Sequence, residues 1–441
     1  MTREQQVELL EKIKSAGVVG AGGAGFPTHT KLLATAEYLV INGAECEPLL
    51  QTDQRLMQLK ASELLYALEV LIDAIGVTKA IIAVKMKYEQ AWQSLLQFKK
   101  DPRIELFPLQ DFYPAGDEQV LVYEVLGRIV PQGGIPIKVG CIVTNVETLL
   151  NVSAAIDGYP VLDKYVCITG AVSTPLTAKL PLGTTIRDAV SLSQPYVTDT
   201  LQVIEGGPVM GKIVTDLDAP ITKTTKGLIV LSQEHVLVSQ KQLPLSRILK
   251  RAQSVCVQCM RCTDLCPRAL LGHDIKPHKI MRSISYGISD TEVLSGSLLC
   301  SECGVCEFAC LMQLSPRKVN SILKVKLGKA GIKASIKGAG PVAPEREFRK
   351  LSSDRLIASI GLSQFHYAAP IQDVQFEPQK VIIPLKQHLG APSYPVVKVG
   401  QKVQRGDLLG EIPEEALGAR IHASISGTVT DIADRITILS D

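Results

Sequence analysis

Long apolar runs are the first thing this chain lacks. No uninterrupted stretch approaches the roughly 18 residues of a membrane-spanning helix, so any membrane contact is expected to go through a partner. An excess of charge of one sign is missing too. The net charge is +3 with 21% of residues charged, which gives neither the basic footprint of a nucleic-acid binder nor an acidic tail. The opening residues Thr2-Arg3-Glu4-Gln5-Gln6 carry charge where a secretory leader would carry an apolar core. The cysteines are therefore expected as reduced thiols in a cytoplasmic protein, and not as the disulfide framework of a small secreted one. Tryptophan occurs once, and no lysine follows Lys402. With 441 residues, 46% of them hydrophobic, the chain has material for about three or four domains.

Cysteine is present in one pattern. Eight of the 11 cysteines fall between Cys256 and Cys310, in two copies of C-x2-C-x2-C-x3-C. Three thiolates on one tight loop take three corners of a cubane, and the fourth is carried onward to the neighbouring cluster. The spacing predicts two [4Fe-4S] clusters, one on Cys256, Cys259, Cys262 and Cys310, the other on Cys300, Cys303, Cys306 and Cys266. Zinc sites pair short knuckles two and two instead. Pro267 follows the first fourth cysteine as the pattern expects, but Leu311 follows the second. His273 and His278, between the two runs, read as structural or solvated because eight cysteines already satisfy both clusters. Cys141 and Cys167 lie in apolar runs and read as small buried hydrophobes.

Ahead of the cysteines the pattern alternates. Residues 4–16 read as a packed helix with Val7, Leu10 and Ile13 on one stripe. A glycine-rich run follows, Gly20-Ala21-Gly22-Gly23-Ala24-Gly25-Phe26-Pro27. A run without β-carbons lets the backbone approach a ligand closely, and Pro27 suits the first turn of a helix whose free N–H groups attract phosphate, with Lys31 one turn in. A helix precedes this loop, so it does not satisfy the ordinary dinucleotide fingerprint, which requires a strand. Strands are expected at 38–42, 79–84, 104–107 and just before Asn145, and helices at 53–75, 88–99 and 117–128. That alternation predicts a parallel sheet covered on both faces, with ligands beyond the carboxyl ends of its strands.

The motifs G-A-G-G-A-G-F-P-T-H-T-K, N-G-A-E-C-E-P, A-G-D-E and N-V-E-T, in that order, resemble the flavin-binding subunit of respiratory complex I and, more closely, the C subunit of the Rnf electron-transport complex. The resemblance implies a non-covalent FMN, with its phosphate near Gly20, Gly22, Gly23 and Lys31 and with Asn42, Glu45, Asn145 and Thr148 as flavin contacts. It also implies NADH as donor, with Phe26 against the nicotinamide and Glu47 and Glu118 on the nucleotide. Ala21 stands where the complex I motif has arginine, and the aromatic that complex I carries after the lysine is missing at Leu32-Leu33-Ala34.

The fold expected is multidomain α/β: a parallel-sheet FMN/NADH domain (1–160), a β-grasp (161–240), a helical two-cluster ferredoxin-like domain (245–327), a linker (328–380) and a barrel-sandwich hybrid (381–441). The second unit resembles the soluble-ligand-binding β-grasp of the same two families. The last looks like the two halves of a biotinyl/lipoyl-type domain without a lysine to modify. This order of modules resembles the cobalamin reductases of propanediol-utilising bacterial microcompartments. That likeness implies reduction of cob(II)alamin to cob(I)alamin for a corrinoid adenosyltransferase, inside a microcompartment, with a shell or shell electron-transfer protein as a further partner. None of the seven histidines follows an Asp at the spacing of the corrinoid-holding D-x-H-x-x-G motif, so cobalamin is expected as a transient substrate. The rival expectations are an Rnf-type subunit feeding a membrane complex or ferredoxin, and an iron–sulfur docking protein with a vestigial flavin fold.

Overall fold

The computed structural model describes residues 2–441. Helix α1 (Arg3–Ser15) starts with a capping box in which Thr2 and Gln5 satisfy each other's free backbone N–H groups. Its packed face runs through Leu9, Leu10 and Ile13, so Val7, expected on the buried stripe, is 60% exposed. After the one-turn helix α2 (Thr28–Lys31) come β1 (Tyr38–Gly43), α3 (Thr52–Leu59), α4 (Ala61–Ile75), β2 (Lys79–Lys85), α5 (Glu89–Phe98), β3 (Ile104–Leu109), β4 (Phe112–Tyr113), α6 (Glu118–Leu126), β5 (Cys141–Asn145) and α7 (Val146–Ile156). The single helix expected over 53–75 is two, because Lys60 leaves helical dihedrals at φ −124° and ψ 27°. The break keeps Leu56 and Met57 of α3 and Leu64, Leu68 and Leu71 of α4 buried in one core. Four parallel strands form a sheet in the order β3-β2-β1-β5. Leu39, Val40 and Ile41 of β1 are all buried, as a central parallel strand covered on both faces requires.

The β-grasp comprises β6 (Asp163–Gly170), β7 (Leu176–Pro181), α8 (Ile186–Ser191), β8 (Leu201–Glu205), β9 (Lys212–Ile213), β10 (Gly227–Ser232) and α9 (Val236–Gln242). Helix α8 lays Ile186, Ala189 and Val190 on the sheet, against Val166, Ile168 and Val203.

The cysteine domain is helical: α10 (Leu245–Val255), α11 (Arg261–Asp264), α12 (Pro267–Leu270), α13 (Pro277–Tyr286), α14 (Thr291–Ser295), α15 (Val305–Phe308) and α16 (Pro316–Lys329). Ile248, Ile280, Met281, Val319 and Leu323 form its core. The segment 328–380, expected as a linker, begins as an exposed basic stretch and then becomes a packed strap. Its β11 (Leu351–Ser352) pairs with β4, its α17 (Ser353–Ser359) buries Leu356 and Ile357, and its β12 (Ile371–Gln372) adds an edge strand beside β7.

Strands β13 (Lys380–Pro384), β14 (Tyr394–Pro395), β15 (Lys402–Val403), β16 (Leu408–Glu411), β17 (Ile421–His422), β18 (Gly427–Ile432) and β19 (Arg435–Leu439) complete the chain. They form two facing sheets, β13-β19-β18-β15 and β14-β16-β17, around Val381, Ile383, Leu409, Ile421, Val429 and Ile438.

Candidate functional site

In the order β3-β2-β1-β5 the winding reverses between β1 and β5, and open parallel sheets bind ligands at such a point, beyond the strands' carboxyl ends. Asn42 and Asn145 are register partners there. Asn42 donates to the Gly116 carbonyl (2.9 Å) and accepts from the Ala44 N–H (3.2 Å). Asn145 caps α7 and donates to Asp53 Oδ2 (2.9 Å). The glycine loop, closed by a bridge between Val19 and Pro27, is held from below. Thr148 Oγ1 accepts from the Ala21 N–H (2.9 Å), and Lys164, ion-paired with buried Glu147, donates to the Ala21 carbonyl (3.1 Å). A β-carbon on Gly22 would lie 2.9 Å from Asn145, whereas one on Gly23 would meet nothing within 4 Å. Gly23 is thus bare without any protein neighbour requiring it, on a firmly held loop. That open approach fits a phosphate-bearing ligand such as FMN.

Glu45 accepts from the N–H groups of Asp53 (2.9 Å) and Gln54 (3.0 Å), free donors of the first turn of α3. Lys226, just before β10, reaches in from the β-grasp to form an ion pair with Asp53, and stands 3.6 Å from Glu45. Burial works against the Lys226 ammonium, but Asp53 and Glu45 outweigh it and hold the group above its ordinary value. Burial pushes Glu45 upward. Asn42, Glu45, Glu47, Asn145 and Lys226 line a cavity of about 210 Å³, and Ser301 and Cys303 of the second cysteine loop close another part of its wall.

Glu47, expected on the nucleotide, is tied elsewhere. Its oxygens accept from the N–H groups of Val209 (2.9 Å) and Met210 (3.0 Å), and the Tyr113 hydroxyl lies 3.1 Å from Oε1. Cys46, beside it, accepts from the Gly116 N–H, and burial raises its thiol to about 11. Asp117, in the same loop as Gly116, pairs with Arg268 of α12 at 2.9 Å. Phe26 sits half-buried at the base of the glycine loop, and Glu118 opens α6 within electrostatic reach of Lys31. Gly20, Gly23, Phe26, Lys31, Glu118 and Thr148 are not part of the cavity lining.

The two cysteine loops are conformational twins. Gln258 and Met260 in the first, and Glu302 and Gly304 in the second, have positive φ at the same offsets from the leading cysteine. Each loop then enters a one-turn helix, α11 or α15, that carries its third cysteine. Burial raises the Cys262 thiol to about 12, and the neighbouring thiols that add to this are Cys310, Cys256 and Cys259. Burial likewise raises Cys306, with Cys300, Cys303 and Cys266 adding to it. The structure thus brings together one group from each run plus the fourth cysteine of the other. Among the described residues no three Cys, His, Asp or Glu side chains converge on a single metal ion; a cubane holds its four thiolates farther apart than one zinc ion does. Pro267 opens α12 after Cys266, while Leu311 is 68% exposed. His273 bonds the Val130 carbonyl (3.0 Å) and His278 bonds Thr263 (2.7 Å).

Sequence reasoning missed Lys226, Tyr113 and Asp53. Asp53 sits at the start of an expected helix, but nothing local marks Lys226, whose partners are more than 170 positions away. The barrel's Leu389 N–H donates to the Gly25 carbonyl (3.1 Å), so the last module roofs the glycine loop. A larger cleft of about 520 Å³ lies between the β9 hairpin, the second cysteine loop and α16. Three of its four cations are engaged: Lys241 by the Val209 and Gly211 carbonyls, Arg317 by Glu307, and Lys318 by the Lys241 and Leu243 carbonyls, while Lys212 of β9 is exposed.

Comparison with known proteins adds to this geometry. Residues 13–154 match the Nuo51 FMN-binding domain, 255–315 a 4Fe-4S dicluster domain, and 363–440 the RnfC barrel sandwich hybrid domain. The C subunit of the proton-translocating ferredoxin:NAD(+) oxidoreductase complex of Clostridium ljungdahlii is 31% identical over 60% of this chain and 56% of its own length. A NAD+-reducing [NiFe]-hydrogenase in the H2-reduced state, at 21% identity, shares the fold over 75% of this chain and 63% of its own, with a TM-score of 0.52. The chain is a multidomain α/β oxidoreductase with flavin and iron–sulfur domains. The cobalamin reductase PduS of Citrobacter freundii is 40% identical over 98% of this chain and 96% of its own length. A match of that depth across every module means that the chain belongs to the cobalamin reductase PduS family.

Proposed function

We propose that this protein is an NADH-dependent reductase that passes single electrons through FMN and two [4Fe-4S] clusters to cob(II)alamin, giving cob(I)alamin for adenosylation. The observation that carries the reading is the shared wall of the 210 Å³ cavity, where Asn42, Glu45, Asn145 and Lys226 face Ser301 and Cys303. A two-electron site and a one-electron relay are thereby adjacent. When bound, FMN accepts a hydride and releases electrons one at a time, and the clusters carry them singly.

The residues have separable tasks. Gly20, Gly22 and Gly23 offer bare backbone to the phosphate, and Lys31 adds a cation beside it. Asn42, Asn145 and Thr148 fix the floor of the flavin site, while Glu45 and Lys226 set its charge. Phe26 and Glu118 are assigned to NADH, with Glu47 released to it only if its bonds to Val209 and Met210 open. Cys300, Cys303, Cys306 and Cys266 hold the inner cluster, and Cys256, Cys259, Cys262 and Cys310 the outer one, whose Cys259 is exposed. No helix among the described residues is long and apolar enough to cross a membrane. Membership in a family named for propanediol utilisation supports a microcompartment setting, with a corrinoid adenosyltransferase and a shell protein as partners.

The test is anaerobic purification, release of flavin by denaturation, and titration with NADH while flavin and cluster absorbance are followed. Substoichiometric NADH should bleach both, and addition of cob(II)alamin with adenosyltransferase should restore the colour. Flavin-free protein, or no bleaching, would overturn the assignment.

A further inference from the structure

The outer cysteine loop opens on a surface that is apolar at its centre and basic around it. Around exposed Cys259 stand Val257, Met260, Leu311 and Met312, each at least 40% exposed. They belong to one patch, because Cys310 lies within electrostatic reach of Cys262, and Arg251 of α10 donates to the Met312 carbonyl (3.1 Å). From 245 to 287 the chain carries eight basic side chains and two acidic ones, in a protein whose net charge is +3. Both acids are paired, Asp264 with Arg349 (3.8 Å) and Asp274 with Lys276 (2.6 Å). Of the basic groups, Arg268 is paired with Asp117. Arg247, Lys250, Arg251, Arg261, Lys279 and Arg282 are all exposed, and none is within ion-pair distance of a carboxylate among the described residues. Helix α13, which carries Lys279 and Arg282, is fastened to the loop through the bond from Gln258 to the His278 carbonyl (3.3 Å).

We propose that this face docks an acidic electron-carrier protein whose one-electron centre lies behind an apolar spot ringed by carboxylates. The proposal rests on the reading above, in which electrons leave from the outer cluster. The apolar centre loses water on contact and lets the two redox centres approach, while the surrounding cations steer and orient the partner. At each encounter one electron passes, the cluster being oxidised by one and the partner's centre reduced by one, with no bond or proton exchanged. A small free acceptor gains little from such a ring. A second copy of this chain would oppose the same six cations to themselves. An anionic membrane would attract the cations but gives no reason for them to surround a cluster ligand.

The test uses the intact holoprotein under anaerobic conditions, an acidic flavodoxin as probe acceptor, and the double variant Lys250→Glu/Lys279→Glu. Neither residue touches a cluster or the flavin cavity. NADH should bleach flavin and clusters equally in both proteins. The rate of flavodoxin reduction should fall about tenfold for the unmodified protein between about 20 and about 300 mM salt. In the variant the rate should start about tenfold lower and lose its salt dependence. Absence of bleaching in both proteins would indict the functional reading and not the face. Normal bleaching with a flavodoxin rate indifferent to salt and charge reversal would overturn the docking assignment. So would a charge reversal that abolishes sedimentation with anionic phospholipid vesicles, or self-association, while leaving the flavodoxin rate intact.

Discussion

The Tyr113 hydroxyl lies 2.7 Å from the carbonyl oxygen of Cys303, so one side chain joins the rim of the proposed flavin cavity to the backbone of the second cysteine loop. Burial raises the phenol far above its usual value, so it stays protonated and donates. Tyr113→Phe leaves the Cys303 carbonyl without that donor, at about 1–3 kcal/mol. Stopped-flow mixing with NADH should show flavin bleaching at the normal rate and cluster bleaching slowed several-fold. Unchanged rates for both would remove the contact from the path.

Among the described residues Lys226 is the only cation on the cavity wall, facing Asp53 and Glu45. Lys226→Met leaves two carboxylates facing any negative charge that the flavin gains. FMN retention should weaken about tenfold, equivalent to about 1.4 kcal/mol, and the flavin potential should move to more negative values. Lys226→Arg should recover much of both. Spectroelectrochemistry and fluorescence titration measure them, and a potential untouched by Lys226→Met refutes the assignment.

Gly22 and Gly23 separate the fold from the ligand. Gly22→Ala collides with Asn145 and should lower the thermal midpoint of the apoprotein, while Gly23→Ala meets no protein atom and should leave it unchanged. Both should reduce FMN affinity. If Gly23→Ala binds FMN as well as the unmodified protein does, the phosphate lies elsewhere.

The proposed crossing of the fourth ligands predicts crossed losses. Cys310→Ala should remove the EPR signal of the outer cluster while NADH still reduces the flavin and the inner cluster. Cys266→Ala should remove the inner signal and isolate the outer cluster from NADH. Loss of the same signal in both variants would exclude the crossing.

Lys223 Nζ donates to the carbonyls of Gly17 and Arg420, both at 2.7 Å, and fastens the barrel and β-grasp to the turn after α1. No carboxylate is near enough to offset its burial, which lowers its pKa from 10.5 to about 7. Between those values the unfolded chain holds the proton more tightly than the folded one does. This group's contribution to stability therefore rises with pH through that window, by at most about 1.4 kcal/mol per unit, and is least below it. Relative to Lys223→Met, the unmodified protein should gain thermal stability between about pH 7 and about pH 9.5. Parallel curves would show that the lysine is not buried in solution.

Features set by near neighbours in the chain were legible. The cysteine spacing and the glycine run each fix a local backbone path, and α8 emerges at Ile186–Ser191 as its pattern suggests. Asn42 and Asn145 could be named from their motifs, but their pairing appears only once β5 lies beside β1. Lys60 shows no breaker chemistry, so the split between α3 and α4 was hidden. The strap was hidden for a different reason: β11 and β12 are two residues each and exist only through partners supplied by β4 and β7. Lys226 and Tyr113 act across modules, a relationship that carries no periodicity.

The bond from Leu389 to Gly25 sets a schedule for biosynthesis. The glycine loop, proposed above to offer bare backbone to the phosphate, emerges from the ribosome well before its lid, whose Leu389 lies far downstream of Gly25 in the chain. On that assignment a nascent chain exposes an unfinished nucleotide pocket until the barrel has emerged, so stable cofactor loading follows the folding of the barrel, and chains terminated before it should accumulate without flavin.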